Sequence, residues 1–266
     1  MLNRAAWCCV ASALAVTLVA GAAIAAESAP ARVPWTPVGL GGGGGMYHPA
    51  ISPHDSGLMF VSCDMGGFYR TADAGKSWTM LSFGQIQANC DCRPVFHPTD
   101  PNTVFAADGY DISRLLASHD KGLTWTPMLK DAPWGSSHVT ALGIDRVDGA
   151  TMLIGAAGAV FLSADAGKTW RKCDGPTGEV VGFHVAKSAG PSRAIVAAGK
   201  HGIWLSEDGG KTWQATGKGL PWFDVVDLAG GEDAATGKTV LFLRRSGTVT
   251  SARRSRTPAS LRVPGS

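Results

Sequence analysis

Four aspartates, Asp73, Asp120, Asp165 and Asp208, return at intervals of 47, 45 and 43 residues along a chain of 266 residues. Each sits in the pattern hydroxyl-x-Asp-x-Gly-x-hydroxyl-Trp. A positioned carboxylate can serve as a general acid or base. This spacing argues for another use. A short Asp side chain bonds backbone N–H groups just beyond it, and a glycine two residues on (Gly75, Gly122, Gly167 and Gly210) tolerates positive φ. The flanking hydroxyl residues add further turn bonds. The closing indoles, Trp78, Trp125, Trp170 and Trp213, bury large rings at the start of the following strand. The four carboxylates are therefore engaged locally and read as structural.

Asp64 stands apart. It ends a strand-like run and is followed, after Met65, by Gly66 and Gly67, so its carboxylate can project into a cleft unobstructed, although Asp-x-Gly-Gly also suits a plain turn. The seven histidines, His48, His54, His97, His119, His138, His184 and His201, are scattered singly, without the spacing of a metal site. Cys90-Asp91-Cys92 lacks a second close pair, so neither a metal nor a cofactor is expected. No Ser-His-Asp arrangement, phosphate loop or dinucleotide fingerprint is present. Trp134 and Trp222, each beside a proline, are candidate sugar-stacking surfaces or packing corners.

The elements that must position these residues repeat with the boxes. Gly67–Arg70, Ser113–Leu116, Ala159–Leu162 and Gly202–Leu205 precede the four boxes, and Leu58–Val61, Thr103–Ala106, Met152–Gly155 and Ala194–Ala197 precede those. Such short β-branched or aromatic runs, bounded by Gly, Asp, Pro and Asn, read as strands. A repeat near 45 residues implies stacked supersecondary units. The expectation is an all-β fold, a β-propeller of four-stranded blades, with residues 33–243 supplying four to five blades of a truncated larger ring.

The two ends differ from this body. Residues 1–26 combine Arg4, an apolar run and Ala23-Ile-Ala25, the makings of a secretory signal peptide, with an uncleaved anchor as the alternative. Export to the periplasm or the outside is expected, with no membrane span after cleavage. Residues 244–266 form an Arg-rich stretch, expected to be disordered; it reads as an interaction tail or as the product of a frameshift near residue 243. A net charge of +3 gives no general case for nucleic acid. Beyond the signal the cysteines are Cys63, Cys90, Cys92 and Cys173, and a bridge from Cys63 to Cys90 or Cys92 would join neighbouring blades.

The repeated pattern resembles the Asp-box, or BNR repeat, which in β-propellers lies on the turn between the third and fourth strands of a blade. The run from Trp35-Thr36-Pro37-Val38 through Gly41–Gly45 to Asp64-Met65-Gly66-Gly67-Phe68-Tyr69-Arg70 resembles the start of the xyloglucan-active glycoside hydrolases. That resemblance implies that Asp64 is the catalytic base of an inverting hydrolysis. Such a reaction also needs a general acid about 6.5–9.5 Å away, which the family carries on a second propeller. Met65 replaces a smaller aliphatic residue of the family. The resemblance implies a polysaccharide partner, xyloglucan or another β-glucan. The alternative is a non-catalytic propeller that binds a protein or assists assembly, as in the photosystem II assembly factor family. Sialidases share the box, but their arginine triad and Tyr/Glu pair have no counterpart here.

Overall fold

The computed structural model describes residues 44–245 except 66, 88, 110–113, 148, 187–192, 218–223 and 234–238, together with the backbone of 259–262. Residues 1–26 and Trp222 lie outside the described residues. Contacts divide the chain into Met1–Pro37 and Val38–Ser266; the description below concerns the second unit.

Short apolar runs interrupted by Gly and Asp turns cannot extend far, so each folds back on its neighbour as an antiparallel strand. The first sheet joins Met46–Ile51 (β1), Met59–Cys63 (β2), Gly67–Thr71 (β3) and Thr79–Met80 (β4) in sequence order. The second joins Val95–Phe96 (β5), Val104–Ala107 (β6), Leu115–Ser118 (β7) and Thr126–Pro127 (β8). The third joins Val139–Ile144 (β9), Met152–Ala156 (β10), Ala159–Ser163 (β11) and Arg171–Thr177 (β12). The fourth joins Val180–Val185 (β13), Ile195–Gly199 (β14), Gly202–Ser206 (β15) and Gln214–Thr216 (β16). A fifth, three-stranded sheet joins Val225–Glu232 (β17), Thr239–Arg245 (β18) and Ala259–Arg262 (β19).

These sheets are the blades of a β-propeller, and no helix occurs among the described residues. None is therefore long and apolar enough to cross a membrane. The eight runs expected as strands before the boxes become the second and third strands of four blades, each displaced by two residues at most. Within the Arg-rich stretch, Arg244 and Arg245 finish β18, and Ala259–Arg262 pairs with Val240–Leu243.

Strands sandwiched between blades are buried on both faces, and so β10, β11 and β14 read as continuous apolar runs rather than alternating ones. Successive side chains still point to opposite blades. Met152 and Ile154 pack toward the second blade with Phe105 and Leu115, whereas Leu153 packs toward the fourth with Val185 and Ile195. Four such interblade cores hold the five sheets together.

The boxes form the turns between third and fourth strands. Asp73 Oδ1 accepts from Thr71 Oγ1 (2.7 Å) and Ser77 N (2.9 Å), Oδ2 accepts from Ser77 Oγ (2.6 Å), and Gly75 N donates to Thr71 Oγ1 (3.0 Å). The same bonds recur around Asp120, Asp165 and Asp208. Gly75, Gly122, Gly167 and Gly210 take φ of 83°, 81°, 84° and 85°. Trp125 stands edge-on to Phe60 and Phe68 of the preceding blade, at 6.0 and 5.9 Å.

The structure decides between the two readings of Trp134 and corrects the expectation for the thiols. Trp134 is buried, edge-on to Phe161 at 5.7 Å and Trp170 at 5.5 Å, so it is a packing corner and presents no sugar platform. All four thiols are free, so the bridge expected from Cys63 is absent. Cys92 is turned into the core between the second and third blades, and Cys90 is half-buried in the loop before β5.

Candidate functional site

Asp64 follows β2 directly and opens the turn into β3, where it is exposed. Glycines decide its setting. A Cβ on Gly44 would overlap Asp64 Oδ1 and stand 2.5 Å from Met65 Cγ; one on Gly45 would stand 2.9 Å from the Tyr47 ring and 3.2 Å from Asp64 Oδ2. The glycine run thus lets backbone lie flat against a carboxylate, and Gly45 N donates to Asp64 Oδ1 at 2.8 Å. Asp64 N in turn donates to Gly45 O at 3.2 Å. Around this notch Met46, Tyr47 and Met65 are exposed, Met65 by 75%. A fixed carboxylate rimmed by an aromatic ring and apolar side chains suits the polar edges and C–H faces of a sugar.

Further groups converge on this end of β1 from the loop before β5. His48, at φ 50°, shares a hydrogen bond between its Nε2 and Cys90 O at 2.9 Å. Burial lowers the pKa of His48; the Cys90 carbonyl opposes that shift. Burial raises the Cys90 thiol, and Asp64, Asp91 and Cys63 add to the rise. The charges of Asp91 and Asp64 thus both bear on this thiol, and Asp91 Oδ2 lies 4.0 Å from His138 Nδ1. Sequence reasoning treated Asp91 only as a spacer between two cysteines. The signal for it is Asn89, whose Oδ1 accepts from Asp91 N (2.7 Å) and Cys92 N (2.9 Å), an Asx turn that fixes the loop.

The structure does not bring the four box aspartates into this group; they remain at their own hairpin tips. Hydrogen bonds from Ser77 hold Asp73 down at about 2, and those from Thr169 hold Asp165 down at about 2. At Asp120 desolvation pushes upward, and the bonds from Thr124, Ser118 and Leu123 outweigh it to give about 2. Carboxylates so firmly ionised make poor proton donors near neutral pH. Among the described residues no group of three or more His, Cys, Asp or Glu could hold a metal ion.

The innermost strands β1, β5, β9, β13 and β17 line a cavity of about 740 Å³. His48 and Asp227 border it toward the starts of β1 and β17, and Arg146 and Glu232 border it at the ends of β9 and β17.

Known proteins match this picture in part. Residues 204–215 match the BNR/Asp-box repeat family. A xyloglucanase of Acetivibrio thermocellus is 27% identical over 256 residues, covering 77% of this chain and 30% of that protein. The GH74 xyloglucanase from Xanthomonas campestris superposes with a TM-score of 0.59 at 22% identity, over 79% of this chain and 35% of that one. YCF48 from Cyanidioschyzon merolae superposes with a TM-score of 0.52 at 13% identity, over 84% of this chain and 74% of that one. The chain is an Asp-box β-propeller that resembles the xyloglucan-active glycoside hydrolases, and it spans 30% of the length of the Acetivibrio relative.

Proposed function

We propose that this propeller binds a β-glucan of the xyloglucan type at the Asp64 edge, and that Asp64 is the general base of an inverting hydrolysis when a general acid faces it. The reading is supported chiefly by the notch in which Gly44 and Gly45 press backbone against an exposed carboxylate beside the exposed Tyr47 ring. Gly45 N–H donates to Asp64 Oδ1 at 2.8 Å and so orients the carboxylate that would accept a proton from water. The acid belongs to a surface opposite this edge, on further chain or a partner. Residues 1–26 direct the propeller to the periplasm or the outside, where such a polymer is met.

The test is reducing-sugar release from xyloglucan by the purified protein and its Asp64→Asn variant, alongside retention of both on an immobilised xyloglucan column. Retention by both proteins with release lost in the variant supports a base role. Retention without release from either supports binding alone. Absence of retention sinks the proposal.

A second reading is a non-catalytic propeller that docks a protein partner, supported by the occurrence of this fold in YCF48. Xyloglucan retention by the wild-type protein counts against it.

A further inference from the structure

We infer that the opposite end of the central cavity, where the C-terminal ends of β9, β13 and β17 meet, is a second binding site, for a neutral polyhydroxylated ligand such as a short saccharide. It lies away from the Asp64 edge, because Asp64 borders the start of β1, where Met46 pairs with Cys63, while this group follows the ends of the inner strands.

Three side chains make the site. His184, near the end of β13, has a side chain only 4% exposed, and its Nε2 has no hydrogen-bond partner. Glu232, the last residue of β17, holds Oε1 3.6 Å from that nitrogen and Oε2 3.9 Å from Nη1 of Arg146, just past β9. Both are ion-pair separations, and 3.6 Å is long for a hydrogen bond to the imidazole. A buried nitrogen left so is costly, and a ligand hydroxyl that bonds it removes the cost.

The imidazole is held in place. A Cβ on Gly230 of β17 would come within 2.6 Å of His184 Cγ, so the ring packs directly on the neighbouring backbone where any side chain would displace it.

Charge selects the ligand class. Burial lowers the pKa of His184 and the Arg146 charge lowers it further, against the pull of Glu232. At neutral pH the cluster holds one guanidinium, one carboxylate and one uncharged imidazole, with no net charge. An anion would be drawn to Arg146 but repelled by Glu232, and a cation the reverse. A hydroxyl group donates to the carboxylate while accepting from the guanidinium, and vicinal hydroxyls do both at once. Ile144, Phe183, Val185 and Pro98 also line the cavity and offer apolar surface for C–H faces. The cavity as a whole, about 740 Å³ from the His48 end to the Glu232 end, falls in the range of small-molecule sites.

The experiment follows the ring resonances of His184 by NMR in 15N-histidine-labelled protein, identified by their loss in His184→Gln. Cellotetraose and maltotetraose are titrated at millimolar concentration, with inorganic phosphate as the charged comparator. Saturable movement of the His184 signals by either saccharide is expected, weakened about tenfold or more in Arg146→Ala and Glu232→Gln and unchanged in Asp64→Asn. Circular dichroism melting checks that each variant is folded; the exposed Arg146→Ala keeps the test valid if Glu232→Gln is not. The inference fails if neither saccharide moves the signals, if phosphate alone does, or if Arg146→Ala binds as well as the wild type.

Discussion

Gly122, in the second Asp-box turn, lies on the ring of Phe60 in the first blade, where a Cβ would stand 2.5 Å from Phe60 Cε1. The contact is one of a series. A Cβ on Gly167 would stand 2.6 Å from Met128 Cε of the second blade, and one on Gly210 would overlap Leu162 Cδ1 of the third. Arg70 Nε donates across the same junction to Lys121 O at 2.7 Å. The box glycine thus serves its own turn and the fit between two blades.

Gly122→Ala adds a methyl group to a packed junction at φ 81° and should destabilise the fold by about 2–4 kcal/mol. Gly135→Ala, at φ 65° with open space around it, should lose only about 1 kcal/mol, the backbone part alone. Urea denaturation of both separates strain from overlap. Equal losses would mean that the Phe60 contact carries no weight.

The box aspartates set the acid limit of stability. Their carboxylates are held near 2 at Asp73, Asp120 and Asp165 and are lowered further at Asp208. With folded pKa values below the unfolded one, their stabilisation is complete above about pH 4 and declines as pH falls toward 2. The urea midpoint should fall steeply across that window, and the fall should be shallower in Asp208→Asn. An unchanged slope in the variant would count against the turn bonds as its cause.

Histidine gives a second, milder slope. Burial lowers the pKa of both His48 and His184, so the unfolded chain takes up protons first as pH drops below about 6.5. Stability should decline from pH 7 to pH 5, and His184→Gln should flatten part of that decline, as read by thermal melts across the range.

At the Asp64 edge, any hydrolysis should fall by about a hundredfold or more in Asp64→Asn and comparably in Gly44→Ala, whose methyl group displaces the carboxylate. Asp64→Asn should melt within about 1 °C of the wild type, since surface changes alter stability little. Asp91→Asn tests whether the second carboxylate beside Cys90 contributes; an altered pH profile of hydrolysis would place it in the site.

Free thiols should differ in access. Alkylation of the native protein followed by peptide mass mapping should label Cys90 before Cys63, Cys92 and Cys173, all three of them buried. Cys92 should be slowest, because burial pushes its thiol up to about 12. Early labelling of Cys92 would contradict its place in the core.

The boxes were legible in the sequence because their chemistry spans eight residues: Asp, Gly and two hydroxyls meet without help from elsewhere. The strands before them were legible for a similar reason, being short apolar runs between turn residues. The fifth blade was less so. It has no box, and two glycines and an acidic end interrupt β17, Val-Val-Asp-Leu-Ala-Gly-Gly-Glu, so little in that run announces a strand. Pairing with the long β18 holds it in place.

Long-range convergence was hidden altogether. His48 meets the Cys90 carbonyl across 42 residues, and Arg146 meets Glu232 only through the closing of inner strands from different blades. No local pattern encodes such meetings. Trp134 shows the opposite case, since an aromatic beside a proline reads alike whether it faces a ligand or a core, and only the positions of Phe161 and Trp170 decide.

The reach of Gly122, Gly167 and Gly210 into the blade before each gives the propeller a polarity. A boxed blade carries the key for its predecessor and presents the lock to a boxed successor, so the three junctions among the first four blades are of one kind and point one way along the chain. A duplicated blade grafted behind an existing one would meet a surface already shaped for it, and the same blade with its box erased would lose its grip on the preceding neighbour while still receiving the next.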